Sequence, residues 1–124
     1  MSVEQVAITV TAEPESIAVV RHFVTSAGHF LGTGADMDVV ALLTSELTAN
    51  AVNHADTDLT LQLDLTPDRL RVEVRDGAAG EPRPRQPRHD DPTGRGLMIV
   101  DALADRWGVE PTPPGKTVWF ELGT

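Results

Sequence analysis

Between Ser45 and Ala55 the chain reads Glu46-Leu47-Thr48-Ala49-Asn50-Ala51-Val52-Asn53-His54. On a helix, Glu46 and Asn50 are four apart and lie one above the other on a single face, with Asn53 and His54 a turn further along. A carboxylate and an amide stacked this way both present oxygen to a hard cation, so together they can hold a hydrated metal ion and orient an attacking nucleophile. The competing reading is a solvated polar face. His54 has no second histidine or carboxylate at zinc-site spacing, so no transition metal is expected there.

Asp76 is the second residue with chemical potential. It extends the inward series Leu70, Val72, Val74 by one more step of two, while Arg71, Glu73 and Arg75 take the other face. A carboxylate at the core-facing end of a strand needs donors or a ligand, since burying it unpaired costs several kcal/mol. The exocyclic amine of an adenine ring is one such donor; the alternative is a strand that stops at Val74, with Asp76-Gly77 an ordinary turn. Thr93-Gly94-Arg95-Gly96-Leu97 is the third feature. Its glycines let backbone N–H groups approach a ligand, a helix N-terminus attracts phosphate, and Arg95 can add a charge-assisted contact. It reads equally as plain helix entry. Lys116-Thr117 precedes a final strand, where a hydroxyl can reach a phosphate or face water. Arg83, Arg85 and Arg88 are offset by Glu81, Asp90 and Asp91, as in a solvated loop.

These residues need elements to position them. Val6, Ile8 and Val10 alternate with Ala7, Thr9 and Thr11, the period of a half-buried strand. Glu13-Pro14-Glu15 opens a helix whose stripe is Ile17, Val20, Val24, Ala27 and Leu31, closed by Gly28 and Gly32-Thr33-Gly34. Asp36 or Asp38 can cap a second helix, with Val40, Leu43, Leu47 and Ala51 toward the core and Glu46 and Asn50 beside them. Leu59, Leu61, Leu63 and Leu65, a turn at Thr66-Pro67-Asp68-Arg69, and Leu70, Val72 and Val74 predict an antiparallel hairpin. Residues 77–95, rich in proline and glycine, read as one long loop. Leu97, Val100, Leu103 and Ala104 follow as a short helix. After a turn at Pro113-Pro114-Gly115, Val118, Phe120 and Leu122 form the last strand.

The chain has 124 residues and no cysteine, which fits one domain spanning residues 1–124 without disulfides or thiolate metal sites. Its formal charge of -9 argues against nucleic acid or an anionic membrane as the main partner. Nine of the ten basic residues are arginine, with Lys116 alone. No apolar run approaches the roughly 18 residues of a membrane span, and a soluble cytoplasmic protein is expected.

Taken in order, a helix with Glu-x3-Asn, a strand ending in Asp, a long loop, a Gly-x-Gly helix entry and a terminal strand resemble the ATP-binding domain of the GHKL superfamily. That superfamily is shared by gyrase, heat-shock chaperones, histidine kinases and the MutL mismatch-repair proteins, and the resemblance covers nearly the whole chain. Within it, Glu46 to Ala55 looks most like the asparagine motif of the small stand-alone anti-sigma-factor serine kinases and their relatives. The resemblance implies a two-layer α/β sandwich of Bergerat type, with a mixed, mainly antiparallel sheet and helices on one face. It implies ATP and Mg²⁺ as cofactors, with Asn50 on the metal and Glu46 as general base. Asp76 would bind the adenine amine, and Gly94 and Gly96, with Arg95 and Leu97 in the same motif, would lie beneath the phosphates. Thr117 would lie near the adenine pocket, and residues from Gly77 to Thr93 would match the ATP lid. The family's first glycine motif reads Asp-x-Gly-x-Gly; here Ala78 replaces its first glycine and Gly80 retains the second.

The expected function is that of a regulatory serine/threonine protein kinase that phosphorylates a small antagonist protein and sequesters a sigma factor. The size leaves no room for the phospho-accepting hairpin of a full histidine kinase, and homodimers are common among such relatives. The alternative is a non-catalytic module, ATP-dependent or nucleotide-free, that binds a protein partner.

Overall fold

The structure, a computed structural model, describes residues 3–77 and 93–124. Its elements in chain order are β1 (Glu4–Val10), α1 (Glu15–Leu31), α2 (Met37–His54), β2 (Leu59–Thr66), β3 (Arg69–Asp76), α3 (Thr93–Leu103), β4 (Arg106–Thr112) and β5 (Gly115–Gly123). The strands form a single sheet in the order β1-β2-β3-β5-β4.

Local chemistry explains the helix boundaries. Pro14 sits at the N-cap of α1, where the N–H it lacks would have had no partner in the helix. The helix ends at Gly32, whose φ of 75° is the left-handed conformation that glycine adopts without strain. Of the two candidate caps for α2, Asp36 takes the role: its Oδ1 accepts from the N–H groups of Asp38 at 3.0 Å and Val39 at 3.3 Å. That satisfies two of the four donors a helix leaves open at its start.

Strict alternation sets the sheet. Leu59, Leu61, Leu63 and Leu65 on β2, Leu70, Val72 and Val74 on β3, and Val118, Phe120 and Leu122 on β5 are all buried on one face. Val20 and Val24 of α1, Val40, Leu43, Leu47 and Ala51 of α2, and Val100 of α3 complete this core. The helices therefore cover one side of the sheet, giving the two-layer sandwich that was expected. Apolar burial of this kind stabilises by about 25 cal/mol per Å², and the matched periods of helix and strand bring it about.

Three details differ from the sequence reading. The sheet, expected to be mixed and mainly antiparallel, is antiparallel in all four strand pairings among the described residues. The sequence reading assigned no strand between Ala104 and Pro113, where β4 forms the edge beyond β5. Its Gly108 and Pro111 suggest a loop, but an edge strand tolerates proline because one row of its N–H groups has no ladder partner. Gly108 has a packing reason too, since a Cβ there would meet the Trp119 ring at 2.9 Å. Finally, α3 begins at Thr93, so Gly94 and Gly96 lie within its first turn instead of before it.

The opposite face of the sheet is polar and largely self-neutralised. Glu121 is buried, with Arg71 Nη1 at 3.3 Å and Arg69 Nη1 at 3.6 Å from Oε2. Arg106 Nε lies 3.3 Å from Oε1. The Arg71 guanidinium also stacks 4.1 Å from the Trp119 ring centroid. Burial pushes the Arg71 pKa down, but hydrogen bonds and charge from Glu73 and Glu121 outweigh it and hold the guanidinium above the ordinary arginine value.

Candidate functional site

The register of the sheet brings Asp76 to the end of the domain where α2 runs into β2. Asp76 pairs with Leu59, the first residue of β2 and only five positions beyond the last residue of α2. Gly77 N–H donates to Thr57 Oγ1 at 3.0 Å, tying the end of β3 to the α2–β2 connection. Asp76 and the C-terminal half of α2, which carries Glu46 and Asn50, therefore share an end.

The C-terminus of α3 is fixed at the opposite end. β4 starts at Arg106 opposite Glu121 and finishes at Thr112 opposite Gly115, so it runs toward Asp76. Its start is anchored at the far end of the sheet, where Asp105 N–H donates to Glu121 O at 3.0 Å and Asp105 Oδ2 accepts from Gly123 N–H at 2.6 Å. The C-terminus of α3 lies there too. A helix of 11 residues is about 16 Å long, enough for α3 to reach from there back to the Asp76 end. The first four N–H groups of such a helix, those of residues 93–96, have no partner within it. α2, which carries Glu46 and Asn50, packs against both α1 and α3.

Asn50 is the most telling residue of the set. It is 5 % exposed, and its Oδ1 is buried without a hydrogen-bond partner. A buried carbonyl oxygen left unsatisfied costs about 1–3 kcal/mol, and native proteins seldom retain one without a use. An amide oxygen is a suitable donor for a hard divalent cation, so the geometry fits the role the resemblance gave Asn50. Glu46, one turn earlier, is only partly buried and so has access to solvent. His54 is exposed.

Asp76 is 7 % exposed and does belong to the strand, which removes the ordinary-turn reading. Its Oδ1 accepts from Lys116 N–H at 3.1 Å. This bond orients the carboxylate, which offers about four acceptor positions in all. Gly115 makes the approach possible: a Cβ there would collide with Asp76 Oδ1 and with the Asp76 carbonyl oxygen. The sequence reading took Gly115 for turn punctuation, and only the packing reveals its second task.

Thr117 is not brought to the site. Its Oγ1 lies 3.4 Å from Arg75 Nε and 3.0 Å from Thr112 Oγ1, on the face of the sheet away from the helices. The physical reason is parity. Val118, Phe120 and Leu122 point to the helices, so Lys116 shares their face and Thr117 does not. Gly80 lies outside the described residues, as do the other residues from 78 to 92 to which the ATP lid was assigned. For Gly94, Arg95 and Gly96 the structure gives the helical backbone, and Leu97 follows them, partly buried against the core.

The chain belongs to the histidine kinase-like ATPase domain family, whose model matches residues 10–122. No curated protein matches the chain. Membership of this family supports an ATP-binding regulatory role, and the fold and the end of the domain described above agree with it. Among the described residues, no helix is long and apolar enough to cross a membrane.

Proposed function

We propose that the domain binds Mg-ATP between α2, the N-terminus of α3 and the end of β3, and uses it to phosphorylate a serine or threonine of a small antagonist protein. The unsatisfied, buried Oδ1 of Asn50 carries this reading, because it is an oxygen donor held in place at a structural cost. Asp76 accepts from the adenine amine. The N–H groups opening α3 face the phosphates, with Arg95, in the sequence of that turn, as their cationic partner. Mg²⁺, when bound, would neutralise phosphate charge and hold the γ-phosphoryl group in line.

Glu46 takes the proton from the attacking hydroxyl. The hydroxyl oxygen bonds to the γ-phosphorus as the bond to the bridging oxygen breaks, and ADP leaves with that electron pair. Phosphoryl transfer of this kind depends mostly on positioning and electrostatics, which one carboxylate, one metal and one helix terminus can supply. By its likeness to the anti-sigma-factor serine kinases, the protein would also sequester a sigma factor, act in the cytoplasm and pair as a homodimer.

A second reading is favoured by one residue. Ala78 stands where the family's first glycine motif has glycine, which suits a module that binds its partner without phosphorylating it. Transfer of label from γ-labelled ATP to a small antagonist domain that the protein binds separates the two. The kinase reading expects labelling that Glu46→Ala abolishes while ATP still binds. Binding of ATP and of the antagonist with no labelling would establish the module instead.

A further inference from the structure

The sheet parity that removes Thr117 from the site puts its neighbour Lys116 there. Lys116 is the only lysine of the chain. It shares the helix-facing side of β5 with Val118, Phe120 and Leu122, and its N–H donates to Asp76 Oδ1 at 3.1 Å. Its side chain is partly buried, and the described residues place no carboxylate within ion-pair distance of its ammonium group. In a protein of net charge -9, Lys116 thus puts a cation on the side of the sheet where the candidate site lies.

We infer that Lys116 is a base-reading residue: its ammonium donates to the ring nitrogen that adjoins the exocyclic amine of adenine. This rests on the nucleotide reading above. Adenine presents a donor and an acceptor side by side on that edge, the amine and ring nitrogen N1. Asp76 supplies the acceptor for the first. A cation on a four-carbon stem, anchored one strand away and bonded to Asp76 through its own backbone, is within reach of the second. Residue 116 thus acts twice, orienting the carboxylate through its N–H and completing the recognition of the base through its ammonium.

A charge-assisted hydrogen bond to a buried acceptor of this kind is worth about tenfold in affinity. The test is calorimetric titration of the full chain with Mg-ATP and with 1-deaza-ATP, in which a C–H replaces N1. The wild type should bind ATP about tenfold more tightly than the analogue. Lys116→Met should bind ATP about as weakly as the wild type binds the analogue, with no further loss when the analogue is used. Lys116→Arg, which keeps the charge and the donors, should restore part of the preference. Circular dichroism melting of each variant shows that the fold persists. If Lys116→Met still prefers ATP over the analogue by the wild-type ratio, Lys116 does not read the base while the nucleotide site stands. If the wild type binds neither nucleotide, both the site and this role for Lys116 fall.

Discussion

Gly115→Ala is a change of one methyl group that the structure makes consequential. The added Cβ would overlap Asp76 Oδ1 and its carbonyl oxygen, and lie 2.9 Å from its carbonyl carbon. The carboxylate can rotate away, but the carbonyl is part of the β3 backbone and cannot. The turn before β5 must therefore move by roughly an ångström, a distortion in the class of overpacking that costs about 1–3 kcal/mol. With an unfolding entropy of about 2.1 cal/mol/K for each of 124 residues, about 0.26 kcal/mol/K in all, this lowers Tm by about 4–12 °C. The same movement pulls Lys116 N–H from Asp76 and turns the carboxylate, removing a charged hydrogen bond worth about 1.5–3 kcal/mol. ATP affinity should fall by about 10- to 100-fold. Gly34→Ala is the matched control, since the nearest atom to a Cβ there is 3.7 Å away. Thermal melting and calorimetric titration of both variants read the two effects separately. Wild-type ATP affinity in Gly115→Ala would refute the coupling of this turn to Asp76.

Other substitutions probe separate parts of the account. Asn50→Ala should leave stability within about 1 kcal/mol of wild type, because the amide oxygen it removes is unsatisfied in the fold, while Mg-ATP binding is weakened; denaturation and titration together check this. Asp36→Ala should cost about 1 kcal/mol through the lost α2 cap, measured by urea unfolding, with ATP affinity unchanged. Phe120→Ala, at a fully buried position between sheet and helices, should cost about 3–5 kcal/mol in the same assay.

Much of this was legible in the sequence because it depends on periods. The alternating leucines of β2 and the three-and-four spacing of Val40, Leu43, Leu47 and Ala51 each have one low-energy arrangement, and the structure has it. The inward position of Asp76 came from the same alternation. β4 was not legible, because Gly108 and Pro111 carry loop-like chemistry, and their acceptability depends on an edge position and on Trp119, which no local window contains. Thr117 is a different case. The alternation of Val118, Phe120 and Leu122 already assigns it to the far face and assigns Lys116 to the near one, so parity carried more information than residue type. That Asn50 is buried without a partner, and that Gly115 touches Asp76, are three-dimensional facts with no signature along the chain.

The central claim is that Asp76 and Asn50 belong to one Mg-ATP site, and titration of the folded protein with ATP in the presence and absence of Mg²⁺ tests it most directly. The account predicts saturable binding of one ATP per chain, weakened without Mg²⁺ or in Asn50→Ala, and lost in Asp76→Asn although that variant melts as a folded protein. Absence of binding to the folded wild type, or equal binding by Asp76→Asn, would contradict it.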